Sequence, residues 1–265
     1  MMNKLKHLLR YLKYLKKAKT KFGVHSPFVF DFITNVIEDK TIYQDYNDIE
    51  DRRAKLLRNK NIIETVDFGA YAGKGGYHTS LQRIQAIAKK SAISSKQGQL
   101  LYRIVKYLQP DYMLELGTSL GISSIYQVAP LQHPFFIGIE GCASTAAIAE
   151  ENLARFSHNS NYSLVIGNFN VVLPEVLQKL TKLDYAFIDG NHAYKPTMEY
   201  FNMLLPLTQE NTLLIFHDIY WSQGMERAWN DIKQNPQVTI TIDLFHMGLV
   251  FFRKGMPKQD FIIRF

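Results

Sequence analysis

The sequence predicts an α/β protein with a doubly wound, mostly parallel seven-stranded sheet, preceded by N-terminal helices and closed by an antiparallel hairpin. Three observations lead to this fold class. An apolar strand runs into a glycine-containing turn at residues 112–123, strand and helix patterns alternate from there to about residue 234, and two closely spaced strand patterns come last. Such alternation is typical of parallel sheets whose faces are covered by helices.

Length and composition set the outer limits. The apolar share of 46% and charged share of 21% are those of a globular chain, and 265 residues suffice for one main domain with an accessory segment. We place the accessory helical and lid region at residues 1–95 and the main domain at 96–265. The single cysteine, Cys142, excludes a disulfide framework. Without a signal peptide or a long apolar run, the expected location is cytoplasmic.

The net charge of +7 is concentrated at the N-terminus. Eight of the 31 Lys and Arg residues lie within residues 1–23, which contain no acid, so the rest of the chain, with all 24 acids, is close to neutral. This distribution argues against a broad nucleic-acid-binding face on the main domain.

Residues 3–19 predict an amphipathic helix with one leucine-rich face. We expect this helix to pack on the domain with its lysines in water. Peripheral contact of residues 1–23 with a membrane, or contact with RNA phosphates, is the alternative, and a homodimer is also open. The leucines of the face are Leu5, Leu8, Leu9, Leu12 and Leu15.

Two more helices and a glycine-rich segment follow. Ser26 before Pro27 has the form of a helix start, and a third helix is expected from about Asn47. Residues 65–78 are interpreted as a mobile loop, with a lid over the functional site as the second interpretation. Helical patterns at 81–93 and 97–108 follow it.

The main domain then alternates regularly. The predicted strands lie at about 112–116, 135–139, 162–166, 184–188 and 212–217. The predicted helices lie at about 121–129, 143–156, 171–182, 195–205 and 222–234. Two strands beginning at Val238 and Met247 are close enough to form the antiparallel hairpin.

The first strand of the alternation ends in a turn that is open to a ligand. Its glycines are Gly117 and Gly121, and the next strand ends on Glu140. A glycine turn followed by an acid at the next strand tip is how a doubly wound sheet holds a nucleoside. The spacing lacks the G-x-G-x-x-G pattern of dinucleotide sites, which argues against a nicotinamide-dependent dehydrogenase.

Five alternating strands, the terminal hairpin, this turn and Glu140 together resemble the class I S-adenosylmethionine-dependent methyltransferases over about residues 96–253. The resemblance implies that the turn approaches the methionine part of the cofactor and that Glu140 accepts hydrogen bonds from both ribose hydroxyls. Residues 167–170 would line the adenine, or simply cap the next helix. The implied cofactor-binding residues are Glu115, Gly117, Thr118, Ser119, Gly121, Ser123, Glu140, Gly167, Asn168, Phe169 and Asp189.

The ends of the fourth and fifth strands narrow the resemblance to small-molecule O-methyltransferases related to catechol O-methyltransferase. In that family an acid after the fourth strand binds a divalent metal and a base three residues later takes the hydroxyl proton, positions held here by Asp189 and His192. The usual base is lysine. Asp218 matches a second metal ligand, whereas Ile219 replaces the usual asparagine.

The resemblance therefore implies His192, Asp189 and Asp218 as catalytic residues acting on a small hydroxylated, phenol-like or catechol-like acceptor. Asp189 and Asp218 would hold Mg²⁺ or another divalent cation; the alternative is a metal-free acid–base cluster that includes His217. Two other functions stay open: an rRNA or tRNA methyltransferase that uses the basic N-terminal helix, and a non-catalytic cofactor-binding scaffold at a membrane surface.

Overall fold

The computed structural model describes residues 4–68, 77–157 and 161–265, and the chain divides into two compact units. One unit comprises residues 1–34 and 177–265, and the other comprises residues 35–176. The sequence-based boundary at residues 95 and 96 stays a prediction. Among the described residues, no helix has the length and apolar character needed to cross a membrane.

The helices agree closely with the predicted pattern from residue 95 onward. A π-helical segment, Ile33–Ile37, continues the second helix. The α-helices of the described residues are α1 Lys4–Lys17, α2 Pro27–Phe32, α3 Asp45–Arg58, α4 Ile84–Ser91, α5 Ser95–Leu108, α6 Ile122–Val128, α7 Ala143–Phe156, α8 Phe169–Leu177, α9 Tyr194–Leu204 and α10 Gln223–Gln234.

The strands also follow the prediction, with additions at both ends of the chain. The described strands are β1 Ile62–Asp67, β2 His78–Arg83, β3 Tyr112–Leu116, β4 Phe135–Glu140, β5 Asn161–Ile166, β6 Leu183–Ile188, β7 Thr208–His217, β8 Ile240–Asp243, β9 Met247–Phe251 and β10 Gln259–Ile262.

The unit of residues 35–176 contains three parallel strands of the main sheet. They lie in the order β3-β4-β5, with Glu115 opposite Gly138 and Glu140 opposite Ile166. Strands β3 and β4 are almost wholly buried, which is why they read as continuous apolar runs rather than alternating ones. Their parallel pairing places the carboxyl ends of β3, β4 and β5 at one edge.

The unit that includes residues 177–265 contains the rest of the sheet, in the order β10-β8-β9-β7-β6. Strand β6 pairs with β7 in parallel, and β9 pairs with β7 and β8 in the antiparallel sense. The predicted α/β fold with its terminal hairpin is therefore confirmed. The structure adds the short edge strand β10, which pairs with β8 in parallel.

The segment before α5 is the main correction to the predicted secondary structure. Strands β1 and β2 form an antiparallel hairpin, so residues 65–67 and 78 are strand rather than loop, and residues 81–83 are strand rather than helix. The cross-strand bond from the Thr65 hydroxyl to the Ser80 carbonyl, 3.0 Å, helps to pair them. Residues 69–76 lie outside the described residues, so the predicted lid stays a prediction.

Helix α1 packs on its unit, but not through its leucines. Its buried contact residue is Tyr14, which is 3% exposed, whereas Leu8, Leu9 and Leu12 are about half exposed. The expected helix start at Ser26 is present, because its hydroxyl accepts a hydrogen bond from the Val29 N–H.

Candidate functional site

The turn after β3 depends on backbone conformations that favour glycine. Gly117 and Gly121 have φ values of 96° and 78°, and Ser119 between them has a φ of 49°. The Gly117 N–H donates to the Ile139 carbonyl at 2.9 Å, which ties the turn to β4. A Cβ on Gly121 would lie 2.9 Å from the Ala149 Cα, so α6 and α7 approach each other closely only with glycine there.

Glu140, at the end of β4, is held by three hydrogen bonds from this region. Its Oε2 accepts from the Ser119 N–H at 2.7 Å. Its Oε1 accepts from the Cys142 N–H at 2.9 Å and from the Thr145 hydroxyl at 3.2 Å. Burial raises the pKa of Glu140 above its usual range, although these donors oppose the rise. The orientation of the carboxylate is thus fixed by neutral hydrogen-bond donors, and the carboxylate is largely shielded from solvent.

Glu115, another predicted cofactor-binding residue, lies between β3 and α6. Its carboxylate is fully buried, and it accepts hydrogen bonds from the Ser124 hydroxyl and from the Gln127 side-chain amide, the latter at 2.7 Å. Both donors belong to α6. Glu115 therefore joins β3 to α6 and fixes the turn between them, and its predicted direct contact with a cofactor stays a prediction.

Thr118 and Ser123, also predicted to bind the cofactor, are almost fully buried. The Thr118 hydroxyl has no hydrogen-bond partner among the described residues and faces β4, where a Cβ on Gly138 would come within 2.6 Å of it. Thr118 and Ser123 thus lie inside the protein at this turn, and their predicted contact with the cofactor stays a prediction.

The turn after β5 completes the edge in this unit. The Gly167 N–H donates to the Glu140 carbonyl at 2.9 Å, which brings the predicted adenine-lining segment next to the Glu140 tip. The Asn168 side chain accepts from the Asn170 N–H at 3.0 Å, and its carbonyl accepts from the N–H groups of Val171 and Val172. Asn168 thus caps α8, and Phe169 is the first residue of that helix. Capping is the role that the sequence left open as an alternative to contact with the adenine.

Phe68 is a residue that the sequence did not identify. It follows β1, and its ring lies over Gly141, where a Cβ would be 2.7 Å from Phe68 Cδ2. The Cys142 thiol also contacts the Glu64 carbonyl at 3.7 Å, so the β1–β2 hairpin packs beside the Glu140 tip. The available signal was an aromatic residue within residues 65–78, the segment interpreted as a loop or lid.

In the other unit, Asp189 brings two histidines together at the ends of β6 and β7. Its Oδ1 lies 2.9 Å from His217 Nδ1 and 3.6 Å from His192 Nε2. Of the described atoms, His217 Nε2 and His192 Nδ1 are buried without a hydrogen-bond partner. Asp189 thus lies close to His192, one of the predicted catalytic residues, and to His217, which the sequence named only in the metal-free alternative. The signal for His217 in the sequence was its position next to Asp218 at the end of an apolar strand.

The charges of this cluster follow from its contacts. Burial lowers the pKa of His217, but the Asp189 carboxylate beside it raises that pKa more, to a net value of about 9. Burial conversely raises the pKa of Asp189, and the two histidines more than offset this, so the net pKa lies below its usual range. At neutral pH, Asp189 and His217 therefore form an ion pair.

The turns that carry these residues are strained. Asn191, His192 and Asp218 have φ values of 61°, 28° and 55°, although none of them is glycine. The His192 N–H donates to the Gly190 carbonyl at 2.9 Å, which closes a γ-turn with Asn191 at its centre. Such conformations cost about 1–3 kcal/mol each and are concentrated at functional sites.

Asp218, the third predicted catalytic residue, is less closely engaged. Its Oδ1 lies 3.9 Å from His217 Nδ1, and its N–H donates to the His246 carbonyl at 2.6 Å. The described residues contain no group of three or more His, Cys, Asp or Glu side chains arranged to hold a metal ion. Asp189 Oδ1 is already in contact with His217 Nδ1 at 2.9 Å, so a divalent cation bound there would have to displace this contact, and the predicted metal ligands stay a prediction.

Residues 114–219 match a family model described as a methyltransferase domain. A catechol O-methyltransferase of Niastella koreensis is 28% identical over 130 residues, which are 48% of this chain and 58% of the relative. The match thus spans little more than half the length of that curated relative.

Two solved structures are similar in fold. The S-adenosylhomocysteine-bound methyltransferase PaMTH1 of Podospora anserina has a TM-score of 0.60 at 12% identity, covering 87% of this chain and 98% of its own. The O-methyltransferase TomG of Streptomyces achromogenes, in complex with S-adenosylmethionine, has a TM-score of 0.52 at 24% identity, covering 62% and 82%.

Proposed function

We propose that the chain uses S-adenosylmethionine to methylate a hydroxyl group of a small phenol-like or catechol-like acceptor. The match of residues 114–219 to a methyltransferase domain supports this proposal, as does the 28% identity to a catechol O-methyltransferase over 48% of the chain. The observation that carries the proposal is the contact of Asp189 with two histidines at a strand end, because it supplies a base suited to a hydroxyl proton.

The group around Glu140 is the proposed cofactor site. The residues fit the nucleoside part of S-adenosylmethionine, because an ionised carboxylate has about four acceptor positions and three donors already orient this one. In this proposal Glu140 accepts hydrogen bonds from the ribose hydroxyls. The turn containing Gly117 leaves the backbone accessible, and Glu115 positions that turn rather than touching the cofactor.

His192 is the proposed base. If its Nε2 carries the proton that faces Asp189, the lone pair is on Nδ1, which has no hydrogen-bond partner among the described residues. His217 is unsuited to this role because it is already protonated at neutral pH. Its positive charge instead keeps Asp189 ionised, so that the carboxylate can orient His192 and stabilise the imidazolium that forms.

The reaction balances with these groups alone. The bound cofactor supplies an electrophilic methyl group on a sulfonium sulfur. With the cofactor bound, His192 would take the hydroxyl proton of the acceptor; the acceptor oxygen would receive the methyl group, and the sulfur would keep the electron pair of the broken carbon–sulfur bond. The products are the methyl ether, S-adenosylhomocysteine and a protonated His192, which returns its proton to solvent.

We further propose that this chemistry does not require a metal ion, the alternative that the sequence left open. The Asp189–His217 ion pair supports it, because a cation at Asp189 Oδ1 would meet the imidazolium charge about 3 Å away. Asp218 is then a neighbour of the pair rather than a ligand.

The test combines binding and turnover on the purified full chain. Calorimetric titration should show binding of S-adenosylmethionine and S-adenosylhomocysteine, and a panel of catechols and phenols should yield S-adenosylhomocysteine at a rate that a chelator leaves unchanged. His192→Gln should lower kcat about 100-fold or more with an unchanged Kd for the cofactor.

The exposed His133 offers a matched control, and His133→Gln should retain full activity. Activity that chelator abolishes and Mg²⁺ restores would overturn the metal-free mechanism. Failure to bind either form of the cofactor would overturn the proposed function as a whole. Cofactor binding without transfer to any acceptor would favour the non-catalytic scaffold.

A further inference from the structure

Helix α1 is fixed to its unit by one face alone. Tyr14 donates to the Ile263 carbonyl at 2.5 Å and accepts from the Phe265 N–H at 3.2 Å. One turn earlier, Arg10 forms an ion pair with Glu226 at 2.9 Å. These contacts are polar and mostly buried, so they set the rotation of the helix about its axis as well as its position.

The docked face continues to the N-terminal turn of the helix. The rings of His7, Tyr11 and Tyr14 all lie within 5.4 Å of the Phe245 ring, centroid to centroid. Phe245 is itself 2% exposed. An aromatic cluster of this kind, together with the ion pair, holds α1 while Leu5, Leu8, Leu9 and Leu12 stay exposed; Leu15 is partly buried.

The opposite side of α1 is apolar and faces solvent. At 3.6 residues per turn, Leu5, Leu9 and Leu12 point away from the docked face of the helix. We call the four exposed leucines the leucine face: Leu5 is 63% exposed, Leu8 51%, Leu9 50% and Leu12 52%. Contiguous apolar surface on a helix that is already docked marks an interaction surface rather than a core face.

Basic side chains border this leucine face. Lys6, Lys13 and Lys17 project from one side of the helix, and all three are exposed; we call them the basic flank. Lys16 lies among the leucines themselves and is also exposed. Residues 1–23 contain no acid that could neutralise them.

We propose that the leucine face and basic flank of α1 bind the surface of an anionic lipid bilayer, with the helix lying in the membrane plane. Leucines on one side and lysines beside them match the acyl boundary and the anionic headgroups, respectively. The long lysine side chains extend to the headgroups while their methylene stems lie along the apolar layer. The helix, about 21 Å long, enters the interface and does not span it.

Two other occupants fit the same surface less well. A second copy of the chain would bring two identical basic helices together, and the lysine among the leucines would face its own equivalent. A nucleic acid would be expected to meet mainly lysines at the centre of the surface, whereas leucines and the single Lys16 occupy that place. The bilayer alone satisfies both features.

The docking contacts also connect α1 with the predicted acid–base group of the same unit. His7 packs on Phe245, and the next residue, His246, accepts the Asp218 N–H through its carbonyl at 2.6 Å. Helix α1 and the Asp218 turn are therefore joined through Phe245 and His246.

The test is co-flotation of the full chain with vesicles of phosphatidylcholine, alone or mixed with phosphatidylglycerol. The wild type should bind the mixed vesicles, lose binding as salt rises, and bind neutral vesicles at least about tenfold more weakly. The combined variant Leu8→Ser, Leu9→Ser, Leu12→Ser should bind the mixed vesicles at least about tenfold more weakly than the wild type. The combined variant Lys6→Gln, Lys13→Gln, Lys17→Gln should also bind the mixed vesicles at least about tenfold more weakly than the wild type.

Matched controls change residues of the same kind elsewhere. Ile62→Ser with Leu81→Ser replaces exposed apolar residues, and Lys89→Gln with Lys90→Gln removes exposed charges; both should bind vesicles as the wild type does. A fluorophore attached in the Leu9→Cys variant should shift to shorter wavelength on mixed vesicles, whereas one attached in Asn230→Cys should not. The native Cys142 is only 3% exposed, so it should not compete for the label.

Wild-type protein that stays unbound to mixed vesicles would overturn the proposal, as would a leucine variant that binds normally. A dimer in sedimentation that the leucine variant loses, without vesicle binding, would assign the face to a second copy instead. Binding to an RNA duplex without vesicle binding would equally overturn it. Because flotation requires no turnover, its failure is separable from failure of the proposed methyl transfer.

Discussion

Glu140, at the end of β4, and Asp189, directly after β6, are both acids at the carboxyl end of a parallel strand, but their partners differ in charge. Glu140 is held by two backbone N–H groups and one hydroxyl, and burial raises its pKa. Asp189 is held by an imidazolium, and its pKa is lowered despite burial. Neutral donors preserve a carboxylate as an acceptor for a neutral ligand, whereas a charged partner couples it to proton transfer.

The two regions also differ in how they obtain left-handed backbone. The turn next to Glu140 relies on Gly117 and Gly121, for which such φ values cost little. The turn after β6 places Asn191 and His192 in the same region of conformational space. The first turn is thus adapted to close approach of a ligand, and the second stores strain while it directs a side chain.

The sharpest way to test the first region is Glu140→Ala. It removes the acceptor that we propose for the two ribose hydroxyls, and each hydrogen bond to a charged group contributes about 1.5–3 kcal/mol. We expect the calorimetric Kd for S-adenosylhomocysteine to rise about 1,000-fold. Glu175→Gln, an exposed acid of the same unit, is the control and should leave the Kd unchanged. A shift of less than about tenfold in Glu140→Ala would remove Glu140 from the proposed cofactor site.

The ion pair of the second region should be visible in the pH dependence of unfolding. The folded-state pKa of His217, about 9, exceeds its unfolded value of about 6.5, so its stabilisation is fully present below pH 6.5 and is lost as pH rises through 9. The effect amounts to at most about 3 kcal/mol. Asp189 behaves oppositely: its lowered pKa gives stabilisation above its usual value that is lost in acid.

His217→Gln should therefore lower the free energy of unfolding at pH 6 and abolish most of the decline between pH 6.5 and 9, measured by urea denaturation across that range. His133→Gln should retain the wild-type profile, since His133 is exposed. A wild-type profile that is flat between pH 6.5 and 9 would contradict the ion pair.

Much of this arrangement could be predicted from the sequence, because apolar runs and glycine turns are local signals. The strands from β3 to β9 follow that pattern. The β1–β2 hairpin was not predicted because its residues are mostly exposed and lack apolar alternation. Periodicity also shows which leucines of α1 share a face, but not that the helix docks by the other face.

The candidate functional residues also divide into those that a local sequence pattern identifies and those that depend on contacts in the folded chain. Glu140 was identifiable because the distance from the glycine turn along the chain is characteristic. The His217–Asp189 contact joins residues from two strands, and its charge state depends on burial and distance that no local pattern encodes. The buried role of Glu115 likewise depends on donors from the following helix.

Gly121→Ala tests the close approach in the first region. The substitution adds strain at a positive φ and a contact of 2.9 Å with the Ala149 backbone, which cannot move independently. We expect a loss of about 2 kcal/mol in the free energy of unfolding. Gly255→Ala separates the two causes, because its φ of 71° is similar but nothing lies within 4 Å of the added Cβ. Equal losses in both variants would mean that helix packing contributes nothing at Gly121.

Asn191→Gly tests the strain in the second region and has the smallest expected effect. Glycine relieves the cost of a φ of 61°, but it also increases the conformational entropy of the unfolded chain, so the net gain should be about 0.5 kcal/mol. Asn230→Gly, at an exposed position within α10 of the same unit, should instead lose a few tenths of a kcal/mol. If both variants lose stability equally in urea denaturation, the γ-turn carries no strain and the contrast between the two turns fails. If Asn191→Gly gains stability but lowers kcat, the strain serves to direct His192, which is the role that separates this turn from the glycine turn beside Glu140.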